Sequence, residues 1–277
     1  ILTALVFEFI NGFHDTANSI ATVVGTKVLT PGQAVILAAV MNLAGAFAGT
    51  AVAKTISSGI VNADVVAMTS QVLTCALLGA ILWNLLTWWF GLPSSSSHAL
   101  IGGMCGAALA ASDLNWNSIV WAHSGVSLGK NTGIFWKVIL PMVTAPVAGF
   151  LLGLLIMGTL MAIVSSMNNA GGWLARISRP RWINATFGKA QIASAAYQGF
   201  AHGTNDAQKT MGVIAMAIVV ANNNGTLDQL PSWLAFMRPA ADAPKDHVAT
   251  WIIITCALVM AAGTASGGWR IIKTLGH

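Results

Sequence analysis

Apolar stretches alternate with short polar breaks along the chain, and several stretches have the length of a membrane-spanning helix. Four of them cover residues 31–53, 65–90, 134–164 and 248–269. Because a helix needs about 20 mostly apolar residues to cross the hydrocarbon core of a bilayer, the pattern predicts an all-α polytopic membrane protein. The chain has room for about seven to nine spans or half-spans.

Two of the polar breaks resemble each other in sequence. Residues 12–18 read Gly-Phe-His-Asp-Thr-Ala-Asn and residues 203–209 read Gly-Thr-Asn-Asp-Ala-Gln-Lys. Both match Gly-x-(His/Asn)-Asp-x-x-(Asn/Lys), and a Phe precedes each Gly by three positions. Short polar interruptions at matching places of two halves are typical of transporters whose site is built from broken helices in an inverted repeat. The motifs therefore predict two repeats whose central helices are broken or re-entrant.

A basic segment follows the long apolar stretch and divides the two predicted repeats. It contains Arg176, Arg179, Arg181 and Lys189. Excess Lys and Arg mark cytoplasmic loops of membrane proteins, so we expect a first repeat at 1–164, a basic cytoplasmic loop at 165–185 and the start of a second repeat at 186–277. Charges this sparse do not form a nucleic-acid-binding patch, and no nucleic-acid partner is expected.

The composition excludes two broad classes of protein. Charged residues make up 8% of the chain and apolar residues 56%, with a mean hydropathy of +0.73. Soluble domains are about 25% charged, which argues against a soluble enzyme, and disordered chains are poor in apolar residues. The chain also lacks the Gly-x-x-x-x-Gly-Lys-Ser/Thr motif of nucleotide hydrolases. No cofactor is expected.

Asp15 and Asp206 lie at membrane depth in the sequence, one in each motif. An ionised carboxylate at the centre of a spanning helix costs about 2.5–3.5 kcal/mol, so each needs a cation, a proton or a basic side chain; Lys209 is one candidate. The alternative is that each Asp caps a helix or pairs with a Lys near the surface. Carboxylate and amide oxygens suit a hard monovalent cation, and amides lie beside both acids, at Asn11, Asn18, Asn205 and Gln208.

A serine-rich turn forms the second candidate site. Residues 91–98 read Gly-Leu-Pro-Ser-Ser-Ser-Ser-His, where Pro ends one helix and Ser is a favoured N-cap for the next. Free N–H groups at a helix start bind anions, and serine hydroxyls add donors without a fixed positive charge. The turn therefore suits a phosphate-sized oxyanion. Two alternatives are a flexible linker and a hydrolase that uses Ser94 and His98.

Histidines adjoin all three polar motifs, at positions 14, 98 and 202. Their wide separation along the chain gives no local metal-ligand spacing. Buried, hydrogen-bonded histidines are the favoured interpretation.

At these residues the sequence resembles the inorganic phosphate transporter (PiT) family. The segments that carry the resemblance are residues 11–18, 91–102 and 198–209. The resemblance implies a secondary active carrier of phosphate, driven by sodium in many members and by protons in others, while some bacterial members carry a neutral metal–phosphate complex. It also implies an inverted repeat of transmembrane helices with broken or re-entrant central segments, and no enzymatic activity.

The resemblance also assigns residues to the two solutes. The family's aspartates fall on Asp15 and Asp206, and its serine turn falls on Ser95, Ser96 and Ser97. We expect cation coupling, with sodium as the only metal, at Asp15, Asp206, Asn11 and Asn205. We expect phosphate binding at Ser95, Ser96, Ser97, Asn18, Thr204 and Gln208.

The sequence therefore predicts symport of inorganic phosphate with sodium or protons. The expected partners are phosphate, the coupling cation, the lipid bilayer and further copies of the chain in a homo-oligomer; the expected location is the plasma (inner) membrane. A passive anion channel and a membrane-embedded serine hydrolase are the alternative functions. Family members carry a second Ser/Thr-His turn in the C-terminal half, whereas this sequence reaches His277 before any such copy. We therefore expect a fragment with an incomplete second repeat.

Overall fold

The protein is helical, as the apolar pattern predicts. The computed structural model describes residues 1–50, 53, 60–62, 64–123, 131–177, 179–239 and 248–266, and the side chain of Asn18 lies outside the description. Within these ranges the secondary structure consists of helices and two isolated β-bridges. The α-helices are α1 (Leu2–Gly25), α2 (Pro31–Ala46), α3 (Ser70–Trp89), α4 (Ser96–Ala111), α5 (Leu140–Asn169), α6 (Gly172–Ile177), α7 (Pro180–Asn223) and α8 (Thr250–Ser266). Short 3-10 helices cover Trp116–Ser118, Thr226–Gln229 and Ser232–Met237.

Both aspartate motifs lie inside continuous helices. Residues 11–18 belong to α1, and residues 203–209 belong to α7. The predicted interruption at these motifs is therefore wrong. Neither motif contains Pro, and residues such as Asn, His, Asp and Thr cost at most about 0.7 kcal/mol each in a helix. Packing of the apolar neighbours outweighs so small a cost.

The chain breaks instead at the serine turn. Helix α3 ends at Trp89, Gly91 takes a left-handed conformation with φ +69°, and Pro93 precedes the serines. Ser95 caps α4 by accepting a 3.3 Å hydrogen bond from the His98 N–H. The predicted helix end and Ser N-cap are confirmed. The short helix α4 then returns along α3, where a Cβ added at Gly103 would collide with the Ala76 carbonyl.

The first compact unit comprises residues 1–121 and 195–277, of which the ranges given above are described. Helix α1 packs against α8, α3 and α2 in this unit, and α3 packs against α4. Small residues allow the helices to approach closely, as in other membrane bundles: Gly12 faces α8, and Gly203 faces the Asn42 backbone in α2. Two contacts show that helices α1 and α3 run parallel. Residues near the start of both helices line one cavity, with Ile1 and Ala4 facing Ser70 and Leu77. Farther along both helices, the Phe13 ring contacts the Trp88 ring.

The second compact unit comprises residues 122–194. It contains α5, which continues from a π-helical turn at Phe135–Ile139 and holds Pro146 in its interior. Most of the segment 165–185, predicted as a loop, is helical: it covers the end of α5, all of α6 and the start of α7.

Within the described ranges, Ser70–Trp89 and Phe135–Asn169 are long and apolar enough to cross a membrane. The two compact units do not follow the predicted repeat boundaries, which stay a prediction.

Candidate functional site

The two motif aspartates meet inside the first unit. Asp15 and Asp206 are 6% and 8% exposed. His202, one turn before Asp206 on α7, lies between them: its Nε2 is 3.4 Å from Asp206 Oδ2 and 3.9 Å from Asp15 Oδ2. One oxygen of each carboxylate and one imidazole nitrogen lie within 4.8 Å of one another. These three side chains could hold a cation, and we call them the acid cluster.

Lys209 connects the acid cluster to the serine turn. Its Nζ forms an ion pair with Asp206 and donates a hydrogen bond to the hydroxyl of Ser97. With His202 neutral, Asp15, Asp206 and Lys209 together carry one net negative charge. A single monovalent cation would neutralise them.

A second hydrogen-bonded path joins Asp15 to the same turn. His14 Nδ1 lies 2.8 Å from Asp15 Oδ1, and His14 Nε2 lies 3.0 Å from Thr87 Oγ1 in α3. The Thr87 hydroxyl lies 3.2 Å from the hydroxyl of Ser94. Each aspartate is therefore linked to a serine of the turn through one path of polar side chains.

A third set of hydrogen bonds orients His202. The Thr264 hydroxyl donates to the Gly12 carbonyl, at 3.3 Å, and accepts from the Asn42 amide, at 2.8 Å. The side-chain oxygen of Asn42 then accepts a hydrogen bond from His202 Nδ1, at 3.1 Å. With a proton fixed on Nδ1, His202 turns Nε2 toward the two carboxylates. Such outer partners commonly set the tautomer of an ion-binding histidine.

The four serines of the turn have different surroundings. Ser96 is 1% exposed, Ser94 contacts Thr87, and Ser97 contacts Lys209. Ser95 is exposed, and its hydroxyl caps α4. The structure therefore does not place Ser95 with the inward-facing hydroxyls. It also brings a fixed positive charge to the turn, the Lys209 ammonium, where the sequence suggested hydroxyl donors alone.

The remaining predicted site residues divide between the interior and the surface. Asn11 and Gln208 are each 2% exposed. Asn205 is exposed, because neighbouring positions on a continuous helix point about 100° apart; it does not join the acid cluster. The Thr204 hydroxyl donates to the carbonyls of Phe200 and Gly45, so it packs α7 against α2. Asn18 was predicted to bind phosphate, and its side chain lies outside the described residues.

Sequence reasoning missed several polar residues of the interior. Thr87, Asn42 and Asn84 are ordinary polar positions within apolar stretches, and nothing in their spacing distinguishes them. Glu8 is different: it is one of only eight acids, it lies in the first apolar stretch, and it is fully buried with a hydrogen bond from Thr210. The rarity of acids at membrane depth was the signal that could have identified it.

Known proteins resemble this chain along most of its length. The model of the phosphate transporter family matches residues 11–277. A probable low-affinity inorganic phosphate transporter of Bacillus subtilis is 42% identical over 276 residues, which cover all of this chain and 70% of the relative. The protein of the same description from Mycobacterium tuberculosis is 42% identical over all of this chain and 56% of the relative. The low-affinity inorganic phosphate transporter PitB of Escherichia coli is 37% identical over 78% of this chain and 44% of the relative.

The fold also has a counterpart among solved structures. A structure described as the sodium-dependent phosphate transporter superposes with a TM-score of 0.74 at 20% identity, over 99% of this chain and 76% of that one. The predicted all-α transporter fold is thereby confirmed, apart from the helix breaks expected at the two aspartate motifs. The hydrolase alternative is wrong, because the relatives are transporters and not enzymes. From its sequence match over residues 11–277, the chain belongs to the phosphate transporter family.

Proposed function

We propose that this chain forms the ion-binding core of a carrier that moves inorganic phosphate across the plasma (inner) membrane together with a cation. The observation that carries the proposal is the pair of side-chain paths between the acids and the serine turn: Asp206 through Lys209 to Ser97, and Asp15 through His14 and Thr87 to Ser94. The cation site and the anion site are therefore neighbours.

The charges explain why the two solutes depend on each other. Phosphate carries one to two negative charges near neutral pH, and two like charges about 4 Å apart repel by roughly 4 kcal/mol at an effective dielectric constant near 20. Lys209 compensates Asp206, whereas the charge of Asp15 needs a bound cation. A cation in the acid cluster removes the repulsion, so each solute strengthens binding of the other by the same factor.

The inward-facing serines supply the anion side. The start of α4 offers free backbone N–H groups and the positive end of the helix dipole. Ser96, Ser97 and the Lys209 ammonium lie at this start. Hydroxyls, backbone groups and one ammonium hold a phosphate without the several fixed charges that would prevent its release.

The test is phosphate uptake by the full-length protein in proteoliposomes under an imposed sodium or proton gradient. Asp15→Asn and Asp206→Asn are expected to abolish gradient-driven accumulation while the variants stay folded. Asp64→Asn, which changes an exposed acid, is the matched control and is expected to transport normally. Normal accumulation by both cluster variants would overturn the proposal.

Two further measurements identify the coupling ion and distinguish a carrier from a channel. Replacing sodium with choline at fixed pH separates sodium coupling from proton coupling, since carboxylates serve either ion. Uphill accumulation separates a carrier from the alternative of a passive anion channel, which only lets phosphate equilibrate.

A further inference from the structure

Three buried side chains, one each on α1, α3 and α4, hold amide or hydroxyl atoms that lack a hydrogen-bond partner among the described residues. They are the Asn84 amide with both its atoms, the Asn11 carbonyl oxygen and the Ser96 hydroxyl. Their exposures are 0%, 2% and 1%. We call these three residues the polar layer.

The helix register brings the polar layer together. His14 of α1 contacts Thr87 of α3, and the two helices are parallel. Asn11 and Asn84 each lie three residues before that contact pair, so they are on the same side of their helices, level with each other and about one turn from the pair. Helix α4 returns antiparallel along α3, and the approach of Gly103 to Ala76 sets their register. Ser96, seven residues before Gly103, therefore lies at about the level of Asn84.

Unpartnered buried polar groups are rare because each one loses its hydrogen bonds to water without replacement. Three from three different helices at one level indicate a site that a ligand completes. Ser96 directly precedes Ser97, which accepts from Lys209, so we take that ligand to be the anion of the proposed function, on which this inference rests.

We propose that the polar layer recognises the proton of a protonated tetrahedral oxyanion, and so selects phosphate or arsenate over sulfate. Near neutral pH phosphate and arsenate keep at least one O–H group, whereas sulfate has none. The Asn11 and Asn84 carbonyl oxygens are acceptors: one O–H group of the anion donates to one of them, and the second O–H of the dihydrogen form donates to the other. Against sulfate, the same oxygens face only other oxygen lone pairs.

The amide and hydroxyl donors complete the recognition. The Asn84 NH₂ and the Ser96 hydroxyl donate to the unprotonated oxygens, which every tetrahedral oxyanion possesses. Donors therefore contribute to affinity for all such anions, while the two amide oxygens discriminate among them. A site that pairs a substrate hydroxyl rejects an analogue without one, because its own polar groups stay unpaired.

The experiment is competition binding of radiolabelled phosphate to the full-length protein in lipid nanodiscs at saturating coupling cation. For the wild type, arsenate is expected to displace phosphate at similar concentrations, and sulfate only at about 100-fold higher concentration or more. Asn84→Leu, which keeps the size and removes both polar atoms, is expected to weaken phosphate binding and reduce the phosphate-to-sulfate preference about 10-fold or more. Asn11→Leu is a second variant with the same expected loss of preference.

The control is Ser118→Ala, which removes another buried, unpartnered hydroxyl in the 3-10 helix Trp116–Ser118, outside the polar layer. It is expected to keep both affinity and preference. Sulfate competing as well as arsenate against the wild type would overturn the inference and leave the proposed function standing. An unchanged preference in both Leu variants would also overturn it. Failure of the wild type to bind phosphate at all would instead contradict the proposed function.

Discussion

The Lys209 ammonium donates to the hydroxyl of Ser97, 112 positions earlier in the chain. This contact joins α7, which carries Asp206, to the first turn of α4. The same ammonium pairs with Asp206, so one side chain contacts both the acid cluster and the serine turn. A change at Lys209 therefore affects both proposed ion sites.

We expect Lys209→Met to weaken phosphate binding by about 10- to 100-fold, since a hydrogen bond to a charged group contributes about 1.5–3 kcal/mol. The same change leaves Asp206 buried without its cation, which costs about 3–5 kcal/mol of stability. The double variant Lys209→Met/Asp206→Asn is expected to recover the stability but not the phosphate affinity. Calorimetric phosphate titration and thermal unfolding of the three proteins check this. Full affinity in the stable double variant would contradict the role of Lys209.

Thr87→Val is expected to uncouple the two ions while preserving the fold. Valine keeps the shape of threonine but removes the hydroxyl between His14 and Ser94. Phosphate affinity is measured with and without saturating cation, and the ratio of the two values is the coupling. We expect that ratio to fall several-fold. Thr74→Val, at an exposed position of the same helix, is the control and is expected to keep it; an equal loss in both variants would point to a general effect on α3.

Asn42→Ala removes the group that orients His202. The variant leaves His202 Nδ1 without its acceptor inside the protein, and losing a buried partner costs about 1–3 kcal/mol. We therefore expect activation of phosphate binding to need about 10- to 100-fold more cation. Asn117→Ala changes an exposed asparagine and is the control. Its phosphate binding should need the same cation concentration as that of the wild type. An unchanged cation requirement in Asn42→Ala would show that the orientation of His202 is irrelevant to the site.

Gly103→Ala and Gly102→Ala form a matched pair on α4. A Cβ at Gly103 would collide with the Ala76 backbone, whereas nothing lies within 4 Å of a Cβ at Gly102. We expect the first change to destabilise the protein by about 1–3 kcal/mol through overpacking, and the second to be neutral or to stabilise α4 by up to about 1 kcal/mol. Thermal unfolding in one detergent compares them. Equal melting temperatures would contradict the close packing of α3 and α4.

Several features of the fold and the site follow directly from local sequence. The Pro93 break and the Ser95 N-cap depend on residues within one turn of each other, and the apolar stretches predict α2, α3, α5 and α8 with end errors of several residues. The acids at positions 15 and 206 stand out because charge is rare at membrane depth. By contrast, the broken helices predicted at the motifs are absent, since a helix accommodates short polar runs when its neighbours pack well.

By itself, the sequence determined the helical membrane class, the location of the serine turn and the presence of two acids within otherwise apolar segments, because these depend on composition and on short-range backbone preferences. Only the tertiary structure decided which polar side chains share the interior with them. Helix register and glycine-mediated packing between distant segments bring His202 next to the aspartates, Thr87 next to His14, and Asn42 next to His202. It also placed Ser95 and Asn205 at exposed positions, because the side on which a helical residue faces the core depends on the neighbouring helices.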